Sequence, residues 1–390
     1  MNVPALPTSP PITLDVAIVG AGPAGAAAAL ALGGRGLRIG IIEKSRLPRY
    51  KTCGGGVLRR AIQLLPVDVR SAIERECNRA DLVHHEPSLR FSCVRDQPIV
   101  SMVMRDRFDH LLTCAAEATG AQVFAGCAVQ DVRVDAEYVT LVAEEQVFTA
   151  RFVIAADGVG SVVARRTNRA PLREVVPALE CEVTLPEGEM APFLASARFD
   201  FGAVPAGYGW VFPKQGHLSI GVGTTRKGAA SLPAEYRRYL DLLGIGEPLR
   251  EERHGYMIPC RPRDGLFDLS RVLFVGDAAG LADPVTAEGI TGGILSGQLA
   301  ACAILAGGLQ PAAVNAAYRS TLEEALLADL RVARWLAWVL YDCPRLRVRL
   351  LQRYGPSMSE LMTRIVTGET TYRAIVRRPG NYLKLLRRAA

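Results

Sequence analysis

The chain has 390 residues, of which 49% are hydrophobic, and a formal net charge of +7. A chain of this length and composition can bury a large core over two or three lobes, which excludes an intrinsically disordered protein. It has no run of about 20 apolar residues that could span a bilayer, and the proline-rich opening lacks the segments of a signal peptide. Nine scattered cysteines without a CxxC pair argue against a metal site. We expect a cytoplasmic protein, either soluble or peripherally bound to a membrane, without a bound metal.

The first predicted unit is a strand, a glycine turn, a helix and a second strand. An apolar run ends at Gly20-Ala21-Gly22-Pro23-Ala24-Gly25, an Ala/Leu-rich stretch follows, and a second apolar run stops at Glu43. In this spacing Gly20 makes the tight turn, Gly22 lets the backbone approach a pyrophosphate, and Gly25 lets the helix pack against the strand. Glu43 is placed to accept hydrogen bonds from a ribose. The pattern predicts a dinucleotide site, against the alternative of an Ala/Gly-rich core helix.

Two further segments carry polar or flexible residues. Cys53-Gly54-Gly55-Gly56 is a glycine-rich loop with one thiol, which could bring its backbone close to a flat ligand or could be a plain surface turn. Arg105 opens a predicted helix with Asp109 four residues later, and it could equally be an ordinary surface charge.

Two more predicted buried strands end in turns that contain aspartate. Phe152–Ala156 leads into Asp157-Gly158, and Val272–Val275 leads into Gly276-Asp277. Two such ends behind a GxGxxG unit are unlikely to arise by accident. Between them, residues 197–223 alternate as half-buried strands do.

The basic charge is concentrated near the end of the chain. Residues 344–390 contain eleven Lys or Arg and two acidic residues, a net charge of +9, so the remainder is about neutral. An anionic membrane surface, nucleic acid and a solvated helical face are the three alternatives. We favour the membrane surface over nucleic acid, because no nucleic-acid-binding motif accompanies the charge.

Together these motifs resemble the flavoproteins with the para-hydroxybenzoate hydroxylase fold and, within them, the geranylgeranyl reductases. The specific signature is Pro-x-x-Tyr-x-Trp-x-Phe-Pro, present as Pro205 to Pro213. The Cys-Gly loop, Arg105 to Asp109, and Gly276 to Ile290 match the family's other motifs. The resemblance covers about residues 14–305. It implies an α/β fold with a GxGxxG FAD-binding Rossmann-like domain (1–60, 100–170 and 265–305), an inserted antiparallel-sheet substrate domain (61–99 and 171–264) and a C-terminal helical, basic region (306–390).

The resemblance also implies roles for individual residues. Residues at three places in the chain would bind FAD: Gly20, Gly22, Ala24, Gly25 and Glu43; Cys53, Gly54 and Arg105; Asp277, Gly289 and Ile290. Tyr208 and Trp210 would line the substrate cavity over the flavin. Cys53 is the one residue that we nominate as catalytic, as a donor of the proton that hydride transfer to an alkene requires.

The implied activity is FAD-dependent reduction of isolated double bonds in a geranylgeranyl or other polyprenyl chain, with hydride from reduced flavin N5. A flavin-dependent monooxygenase or halogenase on the same fold is the alternative, and a non-catalytic FAD-binding protein is a weaker one. No second GxGxxG is present, so the electron donor is NADPH docking transiently or a ferredoxin. The particular prenyl compound and the oligomeric state stay open.

Overall fold

A computed structural model describes residues 10–377 except 145, 226–230 and 264–266. Within these residues the strands are, in chain order, β1 (Ile12–Val19), β2 (Ile39–Glu43), β3 (Gly56–Leu58), β4 (Ile73–Cys77), β5 (Arg79–His84), β6 (Leu89–Val94), β7 (Val100–Val103), β8 (Gln122–Ala125), β9 (Val129–Val134), β10 (Val139–Ala143), β11 (Val147–Ala155), β12 (Val175–Thr184), β13 (Ala197–Phe201), β14 (Gly207–Pro213), β15 (Leu218–Thr224), β16 (Arg250–Pro259), β17 (Asp268–Leu269) and β18 (Val272–Phe274).

The α-helices of the described residues are α1 (Pro23–Leu32), α2 (Arg59–Gln63), α3 (Arg105–Ala118), α4 (Val162–Arg166), α5 (Glu187–Met190), α6 (Leu232–Leu243), α7 (Gly276–Ala279), α8 (Ile290–Ala306), α9 (Pro311–Leu322), α10 (Ala328–Asp342), α11 (Pro344–Val366) and α12 (Tyr372–Val376). A short π-helical segment, Glu323–Leu327, joins α9 to α10.

The first sheet has the order β17-β18-β11-β1-β2-β8, with β9 and β10 added beside β11. Its central strands are parallel, and they are almost entirely buried, as expected of a parallel sheet covered by helices. Helix α1 packs against α8 through small residues: a Cβ added at Gly297 would clash with the backbone carbonyl of Ala24. This close approach brings the turns before both helices to the same edge of the sheet.

The second sheet has seven strands in the order β16-β12-β15-β14-β13-β5-β6. Side chains alternate between its two faces. One face packs against α6, where a Cβ at Gly209 would meet the fully buried ring of Tyr239. Tyr208, Trp210 and Phe212 lie on the opposite face. That face points toward the first sheet, and a third sheet of β3, β7 and β4 lies beside it.

The C-terminal helices cover one end of the second sheet. Helix α11 packs on β6, where the ring of Phe91 lies against Gly355. Apolar residues of α10, α11 and α12 form a cluster with Phe201 and Val285.

The architecture confirms the predicted fold class: an α/β FAD-binding fold, an antiparallel sheet and a helical C-terminal region. The predicted domain boundaries stay predictions. Residues 378–390, which carry part of the predicted basic tail, lie outside the described residues.

Candidate active site

A single cavity of about 950 Å³ runs between the first and second sheets. One end is lined by the GxGxxG turn, the middle by the Cys53 loop and the Asp277 turn, and the other end by aromatic residues of β13 and β14 and by α10–α12. The motifs that the sequence analysis singled out therefore meet around one space.

The GxGxxG turn leaves its backbone open to this cavity. Gly20 has φ +107°, and a Cβ there would lie 2.8 Å from the carbonyl carbon of Ala156. At Gly25 a Cβ would clash with the carbonyl oxygen of Gly20. A Cβ on Gly22, by contrast, would meet only the Arg49 guanidinium at 3.8 Å. The turn thus presents free backbone and the N-terminus of α1 to the cavity, which suits an anionic pyrophosphate.

Glu43 is buried at the end of β2 and lines the same end of the cavity. Its carboxylate accepts hydrogen bonds from the backbone N–H of Ala21 (2.9 Å) and of Ser45 (3.1 Å). Arg49 lies 3.5 Å from the same carboxylate. Glu43 therefore ties the glycine turn to β2, and its remaining lone pairs can accept from a ribose.

Asp157, two residues after β11, is a second carboxylate of this region and is half-buried. Its Oδ2 accepts from the backbone N–H of Val163 at 3.1 Å. Its Oδ1 is buried with no hydrogen-bond partner among the described residues, and burial raises the pKa of the carboxyl. An unpaired buried polar atom beside an open glycine cradle fits a site that a polar cofactor completes.

Arg105 is buried and is not the ordinary surface charge that the sequence left as an alternative. Its guanidinium makes two hydrogen bonds to Asp109, at 2.8 and 2.9 Å, and Arg49 donates to the same carboxylate at 3.1 Å. Burial lowers the pKa of the Arg105 guanidinium, but the neighbouring Asp109 carboxylate raises it by more, so Arg105 stays cationic. Cys53 faces the cavity beside it, and its Sγ accepts from the backbone N–H of Gly55 at 3.4 Å.

The Asp277 turn lies across the cavity from this loop. Asp277 accepts a hydrogen bond from the Tyr256 hydroxyl at 2.9 Å. A Cβ at Gly289 would lie 2.8 Å from its other oxygen. Gly289 and Ile290 open the 17-residue helix α8 at the cavity wall, so free backbone N–H groups border the site here.

Tyr208 and Trp210 both line the cavity. The Tyr208 hydroxyl donates to the carbonyl oxygen of Thr286 at 2.7 Å, and its ring stacks 6.2 Å from that of Tyr341. The Trp210 indole N–H donates to the Ser219 hydroxyl at 3.4 Å. Both polar atoms are thus used within the protein, and the ring faces provide an apolar wall.

The sequence analysis missed several polar residues of the cavity wall. Lys51 lies 3.3 Å from the centre of the Tyr256 ring, and burial and the charge of Arg105 lower its pKa to about 8. Glu180, on β12, also faces the cavity. The fully buried Lys214 donates to the carbonyl of Val103 at 2.5 Å and supports the Cys53 loop. For Glu180 the available signal was a charged residue within a strand, whereas Lys51 and Lys214 lie outside the strands.

Several known proteins are similar to this chain in sequence and fold. The FAD binding domain family matches residues 13–184. The menaquinone reductase of Mycolicibacterium smegmatis is 31% identical over 376 residues, covering 88% of this chain and 87% of that protein. The geranylgeranyl diphosphate reductase of Synechocystis is 30% identical over 320 residues, with 76% of each chain covered.

The chain belongs to the geranylgeranyl reductase family of FAD-dependent oxidoreductases. A geranylgeranyl bacteriochlorophyll reductase-like protein from Thermoplasma acidophilum has the same fold, with a TM-score of 0.75, 22% identity, and 98% of this chain and all of that one covered. The flavin-dependent halogenase CmlS shares the fold at a TM-score of 0.65 and 25% identity, over 82% of this chain and 63% of its own.

No helix in the described ranges is both long and apolar enough to cross a membrane. No cluster of three His, Cys, Asp or Glu residues suited to a metal ion occurs in that part of the chain.

Proposed function

We propose that this protein reduces isolated double bonds of a geranylgeranyl or similar polyprenyl chain. The observation that carries the proposal is the apolar continuation of the FAD cavity. Beyond Tyr208 and Trp210 the wall is formed by residues of β13 and the C-terminal helices, among them Phe199, Phe201, Leu336, Leu340, Met358, Met362 and Ile365. An elongated apolar space that opens from a flavin site suits a long hydrocarbon substrate.

Bound FAD in its reduced form supplies the hydride. In this proposal the turn at Gly20, Gly22, Ala24 and Gly25 holds the pyrophosphate and Glu43 the adenosine ribose. Arg105 and Asp277 fix the remainder of the cofactor together with the backbone of Gly54, Gly289 and Ile290. Tyr208 and Trp210 hold the prenyl chain against the flavin, and Cys53 stands beside the reacting atoms as a proton donor.

The test is anaerobic conversion of a geranylgeranyl compound by the chemically reduced, FAD-loaded protein. We expect products heavier by one or more pairs of hydrogens in the mass spectrum. Because the halogenase fold is similar, the same mixture is then supplied with oxygen and halide. A product that contains added oxygen or halogen, and no hydrogenated product, would transfer the assignment to a monooxygenase or halogenase.

The source of electrons stays a choice between NADPH and a ferredoxin. Gly221 and Gly223 have the spacing of the first two glycines of a GxGxxG motif, but both lie inside strand β15, so they do not form a second nucleotide turn. Anaerobic bleaching of the oxidised protein by NADPH, compared with bleaching by reduced ferredoxin, distinguishes the two donors. The faster of the two at equal concentration identifies the class of donor.

We also propose that the C-terminal helices attach the protein to an anionic membrane surface, from which the substrate enters. Trp335 borders the cavity and is 65% exposed, and Trp338, one turn further along α10, is 52% exposed. Such rings are favoured at a membrane interface. Arg345, Arg349 and Arg353 are exposed on α11, the next helix. Arg347 does not contribute to this surface, because it is buried and donates to the carbonyl of Leu340 at 2.6 Å.

Sedimentation with liposomes tests the attachment. Each basic residue near an anionic surface contributes about 1 kcal/mol, so replacing Arg345, Arg349 and Arg353 by Gln should weaken binding by about 3 kcal/mol. A matched triple replacement at exposed arginines elsewhere, Arg35, Arg133 and Arg237, should leave it nearly unchanged. An equal loss of liposome binding in both triple variants, or binding that does not depend on the charge of the lipid, would contradict the proposal.

A further inference from the structure

One buried carboxylic acid on the cavity wall has no role in the assignments above. Glu180 is 2% exposed and lies on the cavity face of β12. The pairing register places it beside Gly221, which in turn lies beside Trp210 on the same face. Because glycine contributes no side chain, nothing on β15 at this level separates the carboxyl from the indole ring.

Hydrogen bonds connect this acid to the wall that faces the substrate. The Ser219 hydroxyl donates to Glu180 Oε1 at 2.8 Å, and the same hydroxyl accepts from the Trp210 indole N–H at 3.4 Å. Any movement of the Trp210 ring on substrate binding is therefore transmitted to the hydrogen bonds of Glu180.

The other carboxyl oxygen is connected toward solvent. The Tyr50 hydroxyl donates to Glu180 Oε2 at 3.2 Å. Tyr50 is 44% exposed, and its ring lies 4.4 Å from that of His254. The phenol thus forms a hydrogen-bonded bridge between a buried acid inside the cavity and the protein surface.

The surroundings favour the neutral form of this acid. The groups that face it are Glu182 on its own strand, which pairs with His217 at 2.6 Å, Lys214 beyond β14, His254 on β16, and the hydroxyls of Ser219 and Tyr50. Burial and the neighbouring charge of Glu182 raise the pKa of Glu180 to about 8, against the lowering effect of Ser219, Lys214 and Tyr50. At neutral pH a proton is therefore held at the cavity wall.

We propose that Glu180 is the acid that supplies the proton for alkene reduction and that Tyr50 returns it from solvent. This inference rests on the proposed prenyl reduction. One alkene carbon receives hydride, with its electron pair, from reduced FAD, and the other receives the proton of the Glu180 carboxyl, directly or through a water molecule. The π bond, the flavin N5–H bond and the carboxyl O–H bond are broken, two C–H bonds form, and the two electrons gained by the alkene leave FAD in its oxidised form. The carboxylate that remains regains its proton from solvent through the Tyr50 hydroxyl.

The proposal changes the role given to Cys53. A trisubstituted alkene is a weak hydride acceptor, so the donor must be a genuine acid at the working pH. Glu180 is connected to solvent through the Tyr50 hydroxyl, which can return a proton to its carboxylate after each turnover. In this scheme Cys53 contacts the cofactor without donating the proton.

The experiment compares Glu180→Gln, Tyr50→Phe and Cys53→Ala with the control Glu252→Gln. Glu252 lies on β16, is exposed, and pairs with Arg250 on the surface. All variants are loaded with FAD, reduced anaerobically, and mixed with a geranylgeranyl compound, and flavin reoxidation is followed from pH 6 to pH 10. FAD content and melting temperature are measured for each variant.

We expect the wild-type rate to fall as the pH rises through about 8, and Glu180→Gln to reduce the rate by about 100-fold or more and to abolish this pH dependence. Tyr50→Phe should slow later turnovers more than the first, while Glu252→Gln stays at the wild-type rate. A Glu180→Gln variant that matches the wild type in rate and pH profile would overturn the proposal, and so would loss of the pH dependence in Cys53→Ala alone.

A second readout does not need activity. The infrared spectrum of the oxidised, FAD-loaded protein at pH 7 should contain a carboxylic acid band that is absent from Glu180→Gln and that disappears as the pH is raised to 10. If the wild-type protein shows this band but reduces no prenyl compound, the proposed function is refuted, although Glu180 is still shown to be protonated at pH 7. Absence of the band at pH 7 would show that the Glu180 carboxyl is not protonated at that pH and would overturn its role as the proton donor.

Discussion

Replacing Gly221 by alanine should displace the Trp210 ring while leaving the sheet folded. An added Cβ would lie 2.5 Å from Cε2 and Cη2 of that ring and closer still to Cζ2. Since carbon atoms pack at about 3.5–4.0 Å, the nearest ring atom must move by roughly 1.5–2 Å. The hydrogen bond from the indole to Ser219 would be lost, at a cost of about 1 kcal/mol.

How much this substitution destabilises the protein depends on the space into which the Trp210 ring can move. Overpacking typically destabilises a protein by about 1–3 kcal/mol. The Trp210 ring borders open space into which it can move, so we expect the lower end of that range, which corresponds to a fall in melting temperature of about 2–4 °C. Prenyl reduction should fall much more, because the displaced ring occupies the volume that we assign to the substrate.

Gly209→Ala on β14 is the matched control. Its Cβ would lie 2.5–2.8 Å from three carbons of Tyr239, on the opposite face of the same sheet. Tyr239 is fully buried and has no cavity to move into, so about 3 kcal/mol and a fall of about 6–12 °C are expected. At a temperature where both variants are folded, Gly209→Ala should reduce the prenyl substrate normally. Wild-type activity in Gly221→Ala, or a selective loss of prenyl reduction in Gly209→Ala, would refute the assignment of the Trp210 face of the sheet to the substrate.

Substitutions at three other positions of the site test its geometry and its charges. Gly22→Leu should fold but purify without FAD, because its side chain would extend into the open cradle; retention of yellow, FAD-loaded protein would contradict that geometry. Asp109→Asn should lower the free energy of unfolding by about 3–5 kcal/mol and weaken FAD binding, measured by denaturation and by flavin titration, because it removes the carboxylate shared by Arg49 and Arg105. Burial raises the pKa of Glu180 from 4.5 to about 8, so the folded protein holds this proton more tightly than the unfolded chain, and stability falls as pH rises through that interval. The melting temperature of Glu180→Gln relative to the wild type should therefore be higher at pH 9 than at pH 5, and an equal difference at both pH values would contradict the raised pKa.

Local spacing was sufficient to predict the nucleotide unit. Gly20, Gly22 and Gly25 fall where a strand turns into a helix, and every role assigned to their geometry depends on residues within a few positions along the chain. The same is true of Tyr208 and Trp210, because alternation along one strand puts both on one face whatever the sheet packs against.

Only the tertiary structure decided which face became the cavity wall and which residues far apart in sequence meet there. Alternation places Glu180 on a face, but strand pairing across β15 brings it beside Trp210, and a separate loop brings Tyr50 to its carboxyl. Arg105 could have been a surface charge until the fold buried it against Asp109 and Arg49. The C-terminal charge likewise divides into a buried, structural Arg347 and an exposed arginine face. Periodicity and turn chemistry can be read from neighbouring residues along the chain. Burial and side-chain pKa values depend on packing between residues far apart in sequence, which local patterns do not specify.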